Sequence, residues 1–276
     1  MTSFRNKNIL ITGGASGIGR LMGEYMAQKG GTIILWDINK KALKETKEEI
    51  SKKGGNVHAF FCDVTDKQKV YETADELRKA CGNLDILVNN AGIVTGKPFW
   101  ECSDEEIEKT MNVNTMSMFW TVKAFLPDMI KANTGHIVTI SSAAGIVGAS
   151  RLTDYNASKF AAFGFDESLR MEFRSRKMKI RTTIICPYFI NTGMFKGVKT
   201  RFSWLLPILE EKVVAKKIVK AIESNRVRLI MPGIVYASWV MRYLPVSAFD
   251  WIADFLGVSS AMEKFVGRKE ETHAIS

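Results

Sequence analysis

Short apolar runs alternate with longer stretches of helical periodicity along most of this chain. Asn8–Thr12, Thr32–Trp36, Val57–Phe61, Asp85–Val88, His136–Ser141, Ile180–Cys186 and Val227–Ile230 read as strands. Runs such as Ile9-Leu10-Ile11 and Ile33-Ile34-Leu35 are apolar at every position, as expected of strands buried on both faces. Between them, Gly17–Lys29 carries Leu21, Met22, Tyr25 and Met26 at helical spacing, and Lys40–Lys53 is a polar helix. Asp66 reads as the N-cap of a helix ending near Gly82, Asp104–Ile130 is largely helical, and Thr153–Arg176 is one long helix. Strands alternating with helices imply βαβ units. The expected fold is therefore α/β: a doubly wound, mostly parallel sheet of about seven strands with helices on both faces.

Composition narrows this picture only a little. Apolar residues make up 46% of the 276 positions and charged ones 25%, which are ordinary globular values. The formal charge of +10 favours anionic ligands or surfaces, or simply solubility. No basic run is interleaved with aromatics, so nucleic acid is not an expected partner. Cys62, Cys81, Cys102 and Cys186 form no Cys-x-x-Cys pair, and with His58, His136 and His273 they show no metal-ligand spacing. Free thiols in a reducing, cytoplasmic compartment and no metal are the expectation. Met1–Asn8 leads straight into the first strand, so no leader or anchor is expected, and no apolar run reaches the ~18–20 residues of a membrane span.

Candidate chemistry begins between the first strand and first helix, at Thr12-Gly13-Gly14-Ala15-Ser16-Gly17-Ile18-Gly19. Glycines there let the backbone turn tightly and approach a pyrophosphate, to which a helix N-terminus presents free N–H groups. The spacing is neither G-x-G-x-x-G nor a P-loop, and a tight turn alone is the competing reading. Its place after one strand and before a helix favours a Rossmann-type dinucleotide site. Asp37 follows the second strand; its carboxylate suits the two ribose hydroxyls of NAD and would repel the extra phosphate of NADP. A strand-end Asp that opens a turn is the alternative.

Tyr155-Asn156-Ala157-Ser158-Lys159 opens the long helix. The i,i+4 spacing puts phenol and ammonium on one face. A free Tyr has a pKa near ~10, and a neighbouring Lys⁺ together with a positive nicotinamide ring is expected to favour the phenolate and lower it. A solvated surface pair would look the same in isolation. No nucleophile elbow supports a Ser-His-Asp hydrolase.

Taken together and in order, these residues resemble the short-chain dehydrogenase/reductase superfamily, between residues 9 and 195. That resemblance implies cofactor contacts from Thr12, Gly13, Ser16, Gly17, Ile18, Gly19, Asp37, Asp63, Val64, Asn90, Ala91, Gly92, Pro187 and Thr192, as well as Tyr155 and Lys159. It implies a catalytic set of Asn114, Ser142, Tyr155 and Lys159. Ser142 and Tyr155 would bind the substrate oxygen, Tyr155 would move the proton, Lys159 would hold the nicotinamide ribose, and Asn114 would hold a relay water. The implied cofactor is NAD. One departure is Tyr188 after Pro187, where the superfamily usually has Gly; it is expected to reshape the substrate site. Pro187–Phe195 and Met262–Arg268 resemble the branch of retinol dehydrogenases and lipid-associated 17-beta-hydroxysteroid dehydrogenases. Members of that branch commonly carry an N-terminal anchor, which the reading above does not find here.

The whole of 1–276 reads as one domain, with 1–195 the cofactor-binding and catalytic core and 196–276 a substrate lid and C-terminal appendage. Phe195, Phe202, Trp204, Leu205 and Leu206 suit a lid over a lipid-like alcohol, or the packing of an extra helix. Ile234–Val258, rich in aromatics, resembles an amphipathic surface helix, and a subunit interface or core, a membrane contact, or both would explain it. The expected activity is NAD-dependent oxidation of a lipophilic alcohol: a retinoid, steroid or long-chain alcohol. A carbonyl reductase running the other way and a non-catalytic dinucleotide sensor or scaffold at a lipid surface are the alternatives. A homodimer or homotetramer is what the resemblance implies, with the protein cytoplasmic or peripheral at a lipid surface.

Overall fold

The computed structural model describes residues 1–267; Arg268 and His273, singled out above, lie outside them. Seven parallel strands form one sheet: β1 (Asn8–Thr12), β2 (Thr32–Asp37), β3 (Asn56–Phe61), β4 (Ile86–Asn89), β5 (Gly135–Ile140), β6 (Ile180–Pro187) and β7 (Arg228–Met231). Their order is β3-β2-β1-β4-β5-β6-β7. The expected doubly wound α/β sheet is thus observed. The order reverses between β1 and β4, which opens a crevice at the carboxyl ends of those strands, where such sheets bind ligands.

Strand alternation divides the core into two layers. Ile9 and Ile11 of β1 face α1 (Gly17–Ala27) and α7 (Glu211–Glu223). Leu10 faces the opposite layer, with α3 (Lys67–Cys81), α5 (Ser117–Ala132) and α6 (Thr153–Ser175). The remaining helices of the main body are α2 (Lys40–Lys52) and α4 (Asp104–Met111). Asp66 caps α3 as expected, accepting from the Lys69 amide, and Ser103 with Glu106 forms a capping box on α4. Such caps contribute about 1 kcal/mol each by serving amides that have no partner inside the helix.

Several expectations are corrected. β4 begins at Ile86, just after Asp85, whose carboxylate accepts from Lys7 at 2.6 Å and from the Asn8 amide at 3.0 Å. Asp104–Ile130 is not one helix: a π-helical turn, Asn112–Met116, separates α4 from α5. α7 was absent from the pattern of expected helices, although Val214, Ala215, Ile218, Val219 and Ile222 recur at helical spacing and are all buried. Both α7 and β7 lie inside the stretch read as lid and appendage, yet they complete the sheet layer. What covers the crevice is therefore residues 188–209 and 232–267.

Candidate active site

The glycine loop is clamped to the neighbouring strand by side chains. The Thr12 hydroxyl accepts from the Asn90 and Ala91 amides at 3.0 and 3.1 Å. In return the Asn90 side-chain amide donates to the Thr12 and Gly13 carbonyls at 3.0 and 3.1 Å. Gly13 takes φ +61°, and a Cβ on Gly19 would stand 2.4 Å from the Gly13 carbonyl oxygen. No side chain other than hydrogen can occupy these positions without moving backbone. Ser16 is the N-cap of α1 but its side chain makes no capping bond, and the first turn holds no acidic residue. The start of α1 is therefore covered neither by a capping side chain nor by a carboxylate of its own first turn, an arrangement that fits a pyrophosphate.

Asp37 sits at the end of β2 beside this loop. Its Oδ2 accepts from the Ala15 amide at 3.1 Å and its Oδ1 from the Asn39 amide at 3.0 Å. Asp37 thus braces the loop and opens a turn, while each oxygen keeps a lone pair for a ribose hydroxyl. Asp63 accepts from the Thr65 amide and hydroxyl at 2.9 and 2.7 Å, shaping the turn that buries Val64. Thr192 lies against the loop from the other side: a Cβ on Gly17 would be 3.6 Å from its own Cβ.

The first turns of α6 carry Tyr155 and Lys159, both buried. The Lys159 ammonium is 5.6 Å from the Tyr155 ring centroid and donates to the Ile140 carbonyl at 3.0 Å. Burial pushes the Tyr155 hydroxyl up to about 12, against a hydrogen bond with Ser142 that works the other way. Burial also brings Lys159 down to about 8, opposed by Cys186. The expected lowering of the Tyr155 pKa by Lys159 is therefore not found in this protein by itself. Desolvation penalises the charged form of both groups and is the larger cause for each.

Ser142 hydroxyl donates to the Pro187 carbonyl at 3.3 Å and accepts from the Ala144 amide at 3.1 Å. Asn114 lies in the π-helical turn, a device that recurs at functional sites. Its side-chain amide donates to the Ile93 carbonyl at 2.9 Å and to the Ser158 hydroxyl at 3.0 Å, and its Oδ1 accepts from the Ile93 amide at 2.8 Å. Gly92 is the meeting point, since a Cβ there would be 3.4 Å from Asn114 Oδ1 and 3.6 Å from Lys159 Nζ. The tertiary fold thus gathers Gly92, Asn114 and Lys159 beside Tyr155 and Ser142. Sequence reasoning missed Thr95 and Asp154: the Thr95 hydroxyl donates to Asp154 Oδ2 at 2.5 Å in the turn that carries Tyr155. An Asp directly before the motif Tyr was the signal available for it.

A cavity of about 200 Å³ opens onto Ser142 and Tyr155, and its walls are almost wholly apolar. Tyr188 lines it, with its ring centroid 4.6 Å from that of Phe189, and burial raises its hydroxyl to about 12, so it stays a neutral phenol. Phe195 packs at 5.8 Å from the Tyr155 ring centroid and 5.1 Å from Phe189. Phe195, Leu205 and Leu206 line the cavity as expected of a lid. Phe202 and Trp204 do not: Phe202 packs on Phe255, and Trp204 is 80% exposed.

Ile234–Val258 is not a single helix. It comprises a 3₁₀ turn at Gly233–Tyr236, then α8 (Ala237–Met241) and α9 (Val246–Phe255), parted at Pro245. Val235, Met241, Phe249, Ala253 and Leu256 form the outer wall of the cavity. On the other side, Val240, Tyr243, Val246 and Trp251 are exposed, Tyr243 at 92%. No residue of α9 is buried. Among the described residues no helix is long and apolar enough to cross a membrane.

Comparison with known proteins agrees with this geometry. The family model for short chain dehydrogenases matches residues 7–201. Epidermal retinol dehydrogenase 2 of Homo sapiens is 48% identical over 266 residues, covering 95% of this chain and 86% of that protein. Short-chain dehydrogenase/reductase family 16C member 6 of Bos taurus is 46% identical over 268 residues, covering 95% and 84%. The crystal structure of a short chain dehydrogenase/reductase from Burkholderia phymatum in complex with NAD superposes with a TM-score of 0.80 at 28% identity, over 88% of this chain and 95% of that one.

Proposed function

The chain belongs to the short-chain dehydrogenase family and is an NAD(P)-dependent oxidoreductase, and on that premise we propose that it oxidises a lipophilic alcohol with NAD as hydride acceptor. The observation that carries the substrate class is the cavity, in which Ser142 and Tyr155, with Tyr188 and Ser238, are set in an otherwise apolar and aromatic wall. The relatives named as retinol dehydrogenases support a retinoid, steroid or long-chain alcohol. Asp37 supports NAD over NADP, because a carboxylate beside the adenosine ribose repels a 2′-phosphate.

A nicotinamide dinucleotide in the crevice supplies the hydride transfer. The protein supplies orientation and proton movement. Ser142 and Tyr155 hold the substrate oxygen, and Tyr155 takes its proton as the carbonyl forms. Lys159 stands beside the phenol, its ammonium 5.6 Å from the Tyr155 ring centroid, where its charge together with that of a bound oxidised nicotinamide ring would favour the phenolate. Asn114 fixes the loop at Ile93 against α6 and so keeps Gly92 and Lys159 apart by a constant gap. Tyr188 narrows the wall beside the reacting carbon and contributes a neutral donor.

The same site runs in reverse as a carbonyl reductase, and NAD use favours oxidation. The exposed aromatic outer face of α8 and α9 supports peripheral contact with a lipid surface, from which an apolar substrate would pass into the cavity behind it. Exposed Phe119, Phe160 and Met171 on α5 and α6 support a homodimer or homotetramer. The test is turnover with NAD⁺ and NADP⁺ against retinol, a hydroxysteroid, a long-chain alcohol and a small polar alcohol. The expected result is NAD⁺-dependent oxidation of a lipophilic member, lost in Tyr155→Phe with NADH binding kept. Turnover with NADP⁺ alone would remove the Asp37 argument, and turnover of the polar alcohol alone would remove the cavity argument. Full activity in Tyr155→Phe would falsify the proton-transfer assignment.

A further inference from the structure

Two glycines in distant loops, Gly96 and Gly197, adopt φ of +74° and +92°. A Cβ on Gly96 would lie 2.1 Å from the Phe265 ring, and one on Gly197 would lie 2.0 Å from the Lys264 carbonyl oxygen. Both loops thus leave room for one crossing segment, Ala261–Gly267. Backbone hydrogen bonds lock the crossing: the Lys199 amide donates to the Ala261 carbonyl at 3.2 Å, and the Val266 amide donates to the Lys196 carbonyl at 2.9 Å. Met262 is fully buried beneath it, in one cluster with Leu152, Tyr155, Phe189 and Val198.

The crossing reaches Tyr155 by two routes. Above, it ties down the loop that carries Phe195, whose ring packs edge-on against Tyr155 at 5.8 Å. Below, Gly96 adjoins Thr95, which donates to Asp154 Oδ2 at 2.5 Å and lies 3.0 Å from the Thr110 hydroxyl. Asp154 is buried, its Oδ1 has no hydrogen-bond partner, and it directly precedes Tyr155 in the first turn of α6. A shift of the 93–97 loop therefore moves the group that anchors this turn.

We propose that Ala261–Gly267 is a strap over the substrate site and that Phe265 is a positioning residue, holding the Phe195 loop and the Tyr155 turn in register. This rests on Tyr155 as the proton-transferring group, so the test has one arm that does not depend on turnover. In the full chain, Phe265→Ala and Phe265→Leu are compared with wild type by hydrogen exchange, NADH titration and NAD⁺-dependent turnover of all-trans-retinol.

Phe265→Ala raises amide exchange in 93–97, 153–157 and 195–199 and leaves β1 and β4 unchanged. It lowers kcat roughly tenfold or more, as misplacement of a reacting group does, with the NADH dissociation constant within about twofold of wild type. Phe265→Leu refills the contact over Gly96 and recovers most of kcat. Gly197→Ala, which forces the strap off the lid loop, reproduces Phe265→Ala. Unchanged exchange in those three segments overturns the strap. Faster exchange there with unchanged kcat overturns the positioning role, and so does a uniform rise across the sheet, which marks mere loss of stability. A wild type inactive on retinol that still shows the local exchange pattern supports the strap and overturns only the substrate class.

Discussion

Around the β1–β4 junction, directional hydrogen bonds from Thr12 and Asn90 hold the glycine loop backbone in place, whereas the facing wall from Phe195 to Leu256 is held mainly by ring and side-chain packing. The first region is intolerant because each bond needs one donor and one acceptor at fixed positions. The second buries apolar surface without directional demands, so its shape follows whatever residues fill it. Two tasks are thus separated: the cofactor side depends on bonds fixed in place, and the wall has the freedom to take another shape for a different substrate.

The largest expected effect is on the intolerant side. Gly19→Ala puts a methyl group against the Gly13 carbonyl oxygen, which is backbone and cannot yield. Overpacking of that kind costs about 1–3 kcal/mol, so NADH affinity by fluorescence titration should fall roughly ten- to hundred-fold. Wild-type affinity would show that the loop does not set the pyrophosphate position.

On the outer wall, changing Trp204, Tyr243 and Trp251 to Ser should weaken sedimentation with phosphatidylcholine–phosphatidylserine vesicles by about tenfold. NADH binding should be unaffected, because none of the three lies near the loop. Equal sedimentation would leave the exposed rings to a subunit interface, which cross-linking and light scattering would detect. Inside the wall, Tyr188→Gly should raise the KM for retinol about three- to ten-fold while a small alcohol is handled as before. A parallel loss on both alcohols would place Tyr188 with the cofactor side of the comparison.

The smallest effect on the reaction comes from a buried acid belonging to neither region. Burial pushes Asp166 up to about 7, against hydrogen bonds from Thr182 and Thr139. Its folded form then keeps a proton that the unfolded chain has released above the ordinary value of 3.8. The stability this contributes is fully present below that value and is lost as pH rises through about 7. Asp166→Asn removes the loss, on the order of 4 kcal/mol at most, so its Tm should exceed wild type at pH 8 and converge with it near pH 4. A gain independent of pH would mean that packing and not ionisation is responsible.

The alternation of strands and helices as far as β6, the cap at Asp66 and the glycine loop Thr12–Gly19 were determined by the sequence itself, and the resemblance of its ordered motifs named Asn90, Asn114, Ser142, Tyr155 and Lys159. Periodicity, capping and left-handed glycine positions are demands made within a few neighbouring residues, so they can be read without a fold. α7 was equally legible at Val214, Ile218 and Ile222, and only its position beyond the motifs concealed it. The tertiary structure alone decided the rest. It raised the Tyr155 pKa and lowered that of Lys159 by burying both, and desolvation depends on everything packed about each group. It split Ile234–Val258 at Pro245 into an inner wall and an exposed outer face, and it brought Phe265 across Gly96 from the far end of the chain. Burial and contact at long separation belong to no local window of residues, and so the covering half of the site, beyond Phe195, Leu205 and Leu206, became readable only once the chain was folded.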